Sequence, residues 1–201
     1  MKALIEFSDL EEKASASGMS IPQKLSSGIT SGSISPSEAV KQMNNLIEFN
    51  ELLQRSEAAG KNVPSWLTNG ILSGQYTPAQ AVQHMKDLIE YSDLLQQANN
   101  AGIKVPSYIS ENILKNKWTP QKAAQEMKNL ITFNDLLNKC EKAGINVPKE
   151  IKDGINSGKL SPSQAVDKMN ALMEKEADTL EPYMEKTATK ASSKYAKSIG
   201  S

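Results

Sequence analysis

Residues 60–85, GKNVPSWLTNGILSGQYTPAQAVQHM, contain the pattern that decides the fold, because related stretches return along the chain at a fixed spacing. The methionine that ends this stretch belongs to a series in which each member opens a similar segment. Five methionines share this spacing of 42 residues: Met1, Met43, Met85, Met127 and Met169. A fixed period of this size is typical of repeat arrays, in which each unit packs on its neighbours.

One series of prolines, each preceded by serine or threonine, repeats with the same period: Pro36, Pro78, Pro120 and Pro162. A hydroxyl side chain followed by proline is the usual arrangement of an N-cap and a first helical position, so a long helix is predicted to start at each. A glycine suited to a left-handed C-terminal cap marks the predicted far end. These glycines are Gly18, Gly60, Gly102 and Gly144. The long helix is predicted to have about 24 residues, or about 36 Å.

A second series of prolines is predicted to start a short helix of about ten residues in each repeat. Its members are Pro22, Pro64, Pro106 and Pro148. The predicted stops are three glycines and one asparagine, the residue next best suited to a left-handed cap. They are Gly32, Gly74, Asn116 and Gly158.

The apolar positions of the long helix support this interpretation. Ala81, Val82, Met85 and Leu88 recur at helical spacing, which predicts an amphipathic long helix with a broad apolar face. We therefore predict an all-α fold, an α-solenoid-like array of 42-residue repeats that each contain a long and a short helix. The predicted repeats are 1–42, 43–84, 85–126 and 127–168. Residues 169–201 are predicted to form a diverged terminal helix or capping extension, with a bend at Pro182.

The composition argues against several function classes. The chain of 201 residues has 23 Lys+Arg and 23 Asp+Glu, and this balance disfavours nucleic acid and anionic membranes as partners. The acidic residues near Met1 and the lack of a long apolar run predict a soluble chain without signal peptide or membrane span. One cysteine allows no internal disulfide, and one histidine leaves a zinc site short of its usual ligands.

The sequence gives only a weak indication of catalytic residues. His84 takes a position that is polar in the other repeats, which favours a surface histidine over a catalyst or ligand. Cys140 replaces Ser56, Ala14 and Ala98, which favours a packed, inert thiol. We therefore predict no enzyme activity, no catalytic residue, no cofactor, no metal and no small-molecule substrate.

The aromatic residues of the middle repeats are the one feature that suggests binding. Trp66 and Tyr108 occupy a position that holds Lys24 and Glu150 in the outer repeats, so this position is predicted to reach solvent. Exposed aromatic residues are favoured at protein interfaces, which makes Trp66 and Tyr108 possible partner-binding residues. The alternative is that these rings serve the packing between repeats.

Segments such as AGKNVPSWLTNGILSGQYTPAQAVQHM and AGINVPKEIKDGINSGKLSPSQAVDKM resemble stretches of tail tape-measure proteins from phages and prophages of Gram-positive bacteria. The resemblance covers residues 18–168. It implies a structural protein that lies inside the virion tail and sets its length, with no catalytic residues in this segment. Tape-measure proteins are usually much longer chains.

Two function classes follow. The first is a non-enzymatic structural or scaffold protein, such as a tape-measure-like segment, located in the cytoplasm or in a virion tail. The second is an α-solenoid adaptor that binds a peptide or protein through an aromatic patch near Trp66 and Tyr108. Both classes imply a protein partner or self-association.

Overall fold

The computed structural model describes residues 2–177, and every regular element in this part of the chain is an α-helix. Long and short helices alternate, as the repeat predicts. The helices are α1 (Lys2–Ala16), α2 (Gln23–Thr30), α3 (Pro36–Ala58), α4 (Ser65–Leu72), α5 (Pro78–Asn100), α6 (Ser107–Leu114), α7 (Pro120–Lys142) and α8 (Lys149–Ser157). Residues 162–177 form α9 up to the end of the described range. The fold is therefore all-α over these residues.

Both proline series mark helix starts, as predicted. The long helices α3, α5 and α7 begin at a proline and have 23 residues each, close to the predicted length. The Ser35 hydroxyl accepts the Glu38 amide N–H, and the Thr77 hydroxyl accepts that of Gln80. Each cap thus satisfies one of the amides that a helix start leaves without a partner. The short helices begin one residue after their proline and have 8 or 9 residues.

The predicted C-terminal caps are also confirmed. All eight positions adopt the left-handed backbone conformation, with φ from 52° at Asn116 to 74° at Gly32. Asn116 is the only residue other than glycine with positive φ among the described residues. Asparagine tolerates this conformation better than most residues, which explains why the third repeat keeps the same helix end without glycine.

The repeat methionines lie at the centre of the packing. Four of them have fully buried side chains: Met43, Met85, Met127 and Met169. In the first of two compact units, Met1–Met127, α1 packs on α3 and α3 packs on α5. The short helices α2 and α4 pack on α3 and α5, respectively. The second unit, Lys128–Ser201, has its own buried residues, including Phe133, Ile151 and Ile155.

A glycine inside three of the short helices allows close approach of the residue that follows the helix. A Cβ atom at Gly70 would overlap the Tyr76 ring, and one at Gly28 would overlap the side chain of Ile34. The Tyr76 amide donates to the Gly70 carbonyl at 3.0 Å, which fixes this return of the chain. In the third repeat the glycine is replaced by Asn112, although its carbonyl still accepts the amide of Trp118.

The first long helix exposes apolar side chains near its start. Glu11 is partly buried, whereas Leu4 and Ile5 are 46% and 60% exposed. Leu46 and Leu88, the equivalents of Leu4, are buried in the following repeats. The first long helix therefore leaves exposed, at Leu4, an apolar position that the inner long helices bury. The predicted bend at Pro182 lies outside the described residues.

Within residues 2–177, none of the helices combines the length and the apolar character that a transmembrane helix requires.

Candidate functional site

Three rings from the second repeat meet in one cluster, which we call the second-repeat cluster: Trp66, Tyr76 and His84. Trp66 lies in α4, Tyr76 follows α4, and His84 lies in α5. The ring centroids of Tyr76 and His84 are 5.1 Å apart, and Trp66 lies 6.0 Å from Tyr76 and 6.2 Å from His84. All three pairs meet edge to face, the arrangement that the charge distribution of aromatic rings favours.

Trp66 also connects its repeat to the next one. Its indole Nε1–H donates to the carbonyl oxygen of Ile113 at 2.9 Å. Ile113 lies near the C-terminal end of α6, where helix carbonyls lack partners in the helix and can accept side-chain donors. The carbonyl of Ile113 also accepts the amide of Asn116, so Trp66 uses its second lone pair. Trp66 thus joins the short helices of consecutive repeats.

The third repeat has a related cluster with the two aromatic types exchanged. Tyr108 takes the place of Trp66, and Trp118 takes the place of Tyr76. Their ring centroids are 6.1 Å apart and the rings are close to perpendicular. The ammonium of Lys122 lies 4.9 Å from the centroid of the Trp118 ring, within the range of a cation–π contact. This third-repeat cluster comprises Tyr108, Trp118 and Lys122.

Burial changes the chemistry of Tyr108. Desolvation of the phenolate, reinforced by the negative charge of Glu126, raises the pKa of Tyr108 to about 12. Glu126 takes the repeat position of His84 and is itself buried. Tyr108 therefore stays a neutral hydroxyl at any physiological pH. It is suited to hydrogen bonding and ring contact, but not to proton transfer.

The predicted partner-binding residues are half-buried, and each belongs to a cluster. Trp66 and Tyr108 have intermediate exposure, and the hydrogen-bonding edge of Trp66 is directed to α6. Packing between repeats, the alternative in the sequence analysis, therefore accounts for part of the surface of Trp66. Their role in binding a partner stays a prediction.

His84 is not the surface histidine that the sequence predicts. Its ring is partly buried between Trp66 and Tyr76, and its Nδ1 is buried without a hydrogen-bond partner among the described residues. The prediction was based on polar equivalents such as Gln42 and Lys168, which give no indication of the rings around this position. The aromatic residues at two other positions of the same repeat were the signal that could have shown it.

Cys140 is fully buried, as predicted for a packed thiol. Among residues 2–177, no group of three or more His, Cys, Asp or Glu side chains is placed to hold a metal ion.

Ionic contacts link neighbouring repeats at the surface. Lys61 lies 2.6 Å from Asp93, and Lys86 lies 2.8 Å from Glu48. These side chains are partly or largely exposed, so each pair contributes little to stability. The second-repeat and third-repeat clusters therefore remain the candidate functional site.

Comparison of the chain with protein-family models, with curated proteins and with solved structures finds no match.

Proposed function

We propose that this chain is a non-enzymatic structural or scaffold protein, built as an α-solenoid-like array of 42-residue repeats. The observation that carries the proposal is the order of packing in the first compact unit, where α1 contacts α3 and α3 contacts α5. Contact between consecutive long helices is how a repeat array builds a continuous core. The bond from Trp66 to Ile113 supports the same arrangement at the level of the short helices.

A scaffold works through its dimensions, so the spacing of its units is the property to measure. Helices packed side by side lie about 8–10 Å apart, and each added repeat should lengthen the array by about that amount. A single continuous helix of 42 residues would instead add about 63 Å. The two values differ enough to separate a packed array from an extended helical ruler.

The experiment duplicates residues 43–84 once and twice in the full chain and measures the maximum dimension by small-angle X-ray scattering. Equal increments of about 10 Å, with unchanged helicity per residue, are the expected result. Increments near 63 Å would reject the packed array. Unchanged dimensions would also reject the packed array, because the inserted unit would then have no place in the stack.

A tail tape-measure-like role is the specific form of this scaffold that we propose from the sequence resemblance. Its test requires a phage that encodes the chain, in which the duplicated unit is introduced and tail length is measured by electron microscopy. A tail that lengthens by a constant amount per added unit supports this role. Tails of unchanged length with normal assembly would reject it.

The second candidate is an adaptor that binds a peptide or protein through Trp66 and Tyr108. The partial exposure of both rings favours it. Acrylamide quenching of a Trp118→Phe variant, in which Trp66 is the remaining tryptophan, measures how much of that ring a partner could reach. Strong quenching with red-shifted emission supports the adaptor, whereas protected, blue-shifted emission contradicts it.

A further inference from the structure

The first compact unit contains a cavity between the first and second repeats that corresponds to the place filled by the second-repeat cluster one repeat later. Its volume is about 240 Å³. Three of its lining residues, Lys24, Ile34 and Gln42, are the first-repeat equivalents of Trp66, Tyr76 and His84. Smaller or more flexible side chains thus stand where the next repeat has three rings.

The opposite wall of the cavity comes from the second repeat. Ile71 lies in the last turn of α4, and Gly74 and Tyr76 follow the helix. Ile71 is the equivalent of Ile113, whose carbonyl accepts the indole N–H of Trp66. The Ile71 carbonyl accepts the Gly74 amide, and no side chain of the described residues donates to it. Because the equivalent oxygen of Ile113 accepts both a backbone amide and an indole N–H, the oxygen of Ile71 can accept a second donor in the same way.

We propose that this cavity binds a tryptophan side chain supplied by a partner protein. The chain itself shows the geometry, because Trp66 places an indole against the end of the following short helix with its N–H on a carbonyl oxygen. A bound indole would repeat this contact on the carbonyl of Ile71. Its ring would lie against Ile34 and Tyr76, which supply apolar and aromatic contact surface.

The size of the cavity fits one such side chain. An apolar cavity of about 150 Å³ holds benzene, and indole is a benzene ring fused to a second, smaller ring. The cavity of about 240 Å³ therefore has room for one indole ring. Lys24 and Thr77 at the rim are exposed, so the cavity opens to solvent and a side chain can enter.

Lys24 would cover the inserted ring. Its aliphatic stem already lies near Gly74, 3.3 Å from where a Cβ atom would stand, and it has no ion pair among the described residues. The contact between Lys122 and Trp118 shows that this fold places a lysine ammonium on an indole face. The Lys24 ammonium can make the same cation–π contact with a bound tryptophan.

The test uses the full chain and N-acetyl-tryptophanamide, which carries a tryptophan side chain between two peptide groups. We expect saturable binding by calorimetry with a Kd on the order of 0.1–1 mM, because a single side chain offers few contacts. The methyl NMR signals of Ile34 and Ile71 should shift with the same Kd. The analogue methylated on the indole nitrogen should bind about 3- to 10-fold more weakly, since it lacks the donor for Ile71.

A variant that fills the cavity from within separates this site from general stickiness. Lys24→Trp copies the second repeat, so it should keep the fold and reduce binding at least 10-fold. Glu150→Trp places the same side chain at the same repeat position of the last repeat, at a residue that does not line the cavity, and it should bind as the unmodified protein does. If Lys24→Trp does not fold, Ile34→Tyr serves instead, since Gly28 leaves the room beside residue 34 that Gly70 leaves beside Tyr76.

Several results would overturn the proposal. One is the absence of saturable binding to the unmodified protein, and another is equal binding by the cavity-filled variant. Equal affinity for the N-methylated analogue would show that the indole N–H does not donate to Ile71, which contradicts the proposed binding geometry. Binding of free indole without binding of N-acetyl-tryptophanamide would show that a ring attached to a chain cannot enter, which also rejects a partner side chain.

Discussion

The indole N–H of Trp66 donates a hydrogen bond of 2.9 Å to the carbonyl oxygen of Ile113, and this bond joins the short helices of two consecutive repeats. In the first repeat the same position is held by Lys24, whose stem lies near Gly74 at the end of the next short helix. One repeat position thus reaches the following short helix in both cases. It does so with a ring in one repeat and with a flexible cation in the other.

Removing this bond should destabilise the protein. Trp66→Phe keeps an aromatic ring but loses the donor and part of the contact area, so we expect the free energy of unfolding to fall by about 1–3 kcal/mol. The matched control is Trp118→Phe, because the Trp118 indole N–H makes no hydrogen bond among the described residues. Urea denaturation should show the larger loss for Trp66. Equal losses would mean that the bond to Ile113 contributes nothing.

Gly70 should be intolerant of a side chain. In Gly70→Ala the new Cβ atom would overlap the Tyr76 ring, and the resulting shift should cost about 1–3 kcal/mol of unfolding free energy. Asn112→Ala introduces alanine at the equivalent position of the third repeat, where a Cβ atom is already present. That control should change stability by less than about 0.5 kcal/mol. Thermal and urea unfolding of the pair provide the comparison, and an unaffected Gly70→Ala would refute the close approach.

Ser56 offers a stabilising substitution. Its hydroxyl oxygen is buried without a hydrogen-bond partner among the described residues, and two other repeats have alanine at this position, Ala14 and Ala98. Ser56→Ala removes the cost of burying an unpaired hydroxyl and should raise the free energy of unfolding by about 1 kcal/mol. Ser8→Ala on the exposed part of α1 is the control and should have little effect. A destabilised Ser56→Ala would reveal a hydrogen bond to Ser56.

Tyr108 should make the stability of the protein fall at high pH. Its pKa is about 12 in the folded chain and near 10 in the unfolded chain, so the folded state holds the proton that the unfolded state releases between these values. The contribution is complete below pH 10 and is lost as the pH rises to about 12.

The measurement compares the free energy of unfolding of the unmodified protein and Tyr108→Phe across this pH range. The variant has no phenol at this site, so its stability should fall less steeply. An identical slope in both proteins would contradict the raised pKa. Near-ultraviolet titration of tyrosinate in the two proteins should show one fewer late-ionising group in the variant.

The helix ends could be predicted from the sequence because they depend on local chemistry. Ser35 and Thr77 cap the helices that follow them, and Gly60 or Asn116 adopts positive φ where a helix ends. Because the period is fixed, each predicted helix end could also be compared with the equivalent position in the other repeats. Burial of the repeat methionine follows from the same pattern, since it recurs on the apolar face of each long helix.

The clusters could not be predicted in the same way, because they depend on contacts between separate elements. His84 has polar equivalents in Gln42 and Lys168, and nothing in its own position indicates that Trp66 and Tyr76 surround it. The bond from Trp66 to Ile113 joins residues that are 47 positions apart in the chain. The replacement of glycine by Asn112 in the repeat of Trp118 can be seen in the sequence. Its structural consequence can be understood only from the close approach of Gly70 and Tyr76 in the second repeat.

Removal of one repeat tests the array most directly. Deleting residues 43–84 joins the first part of α3 to the last part of α5 in helical register, because the deletion equals one period. If stability arises between neighbouring repeats, the shortened chain should keep its helicity per residue by circular dichroism. It should unfold in urea in one transition, with an m-value reduced by about a fifth, in proportion to the residues removed. A chain that loses its helicity or its cooperative transition would contradict the repeat-array account.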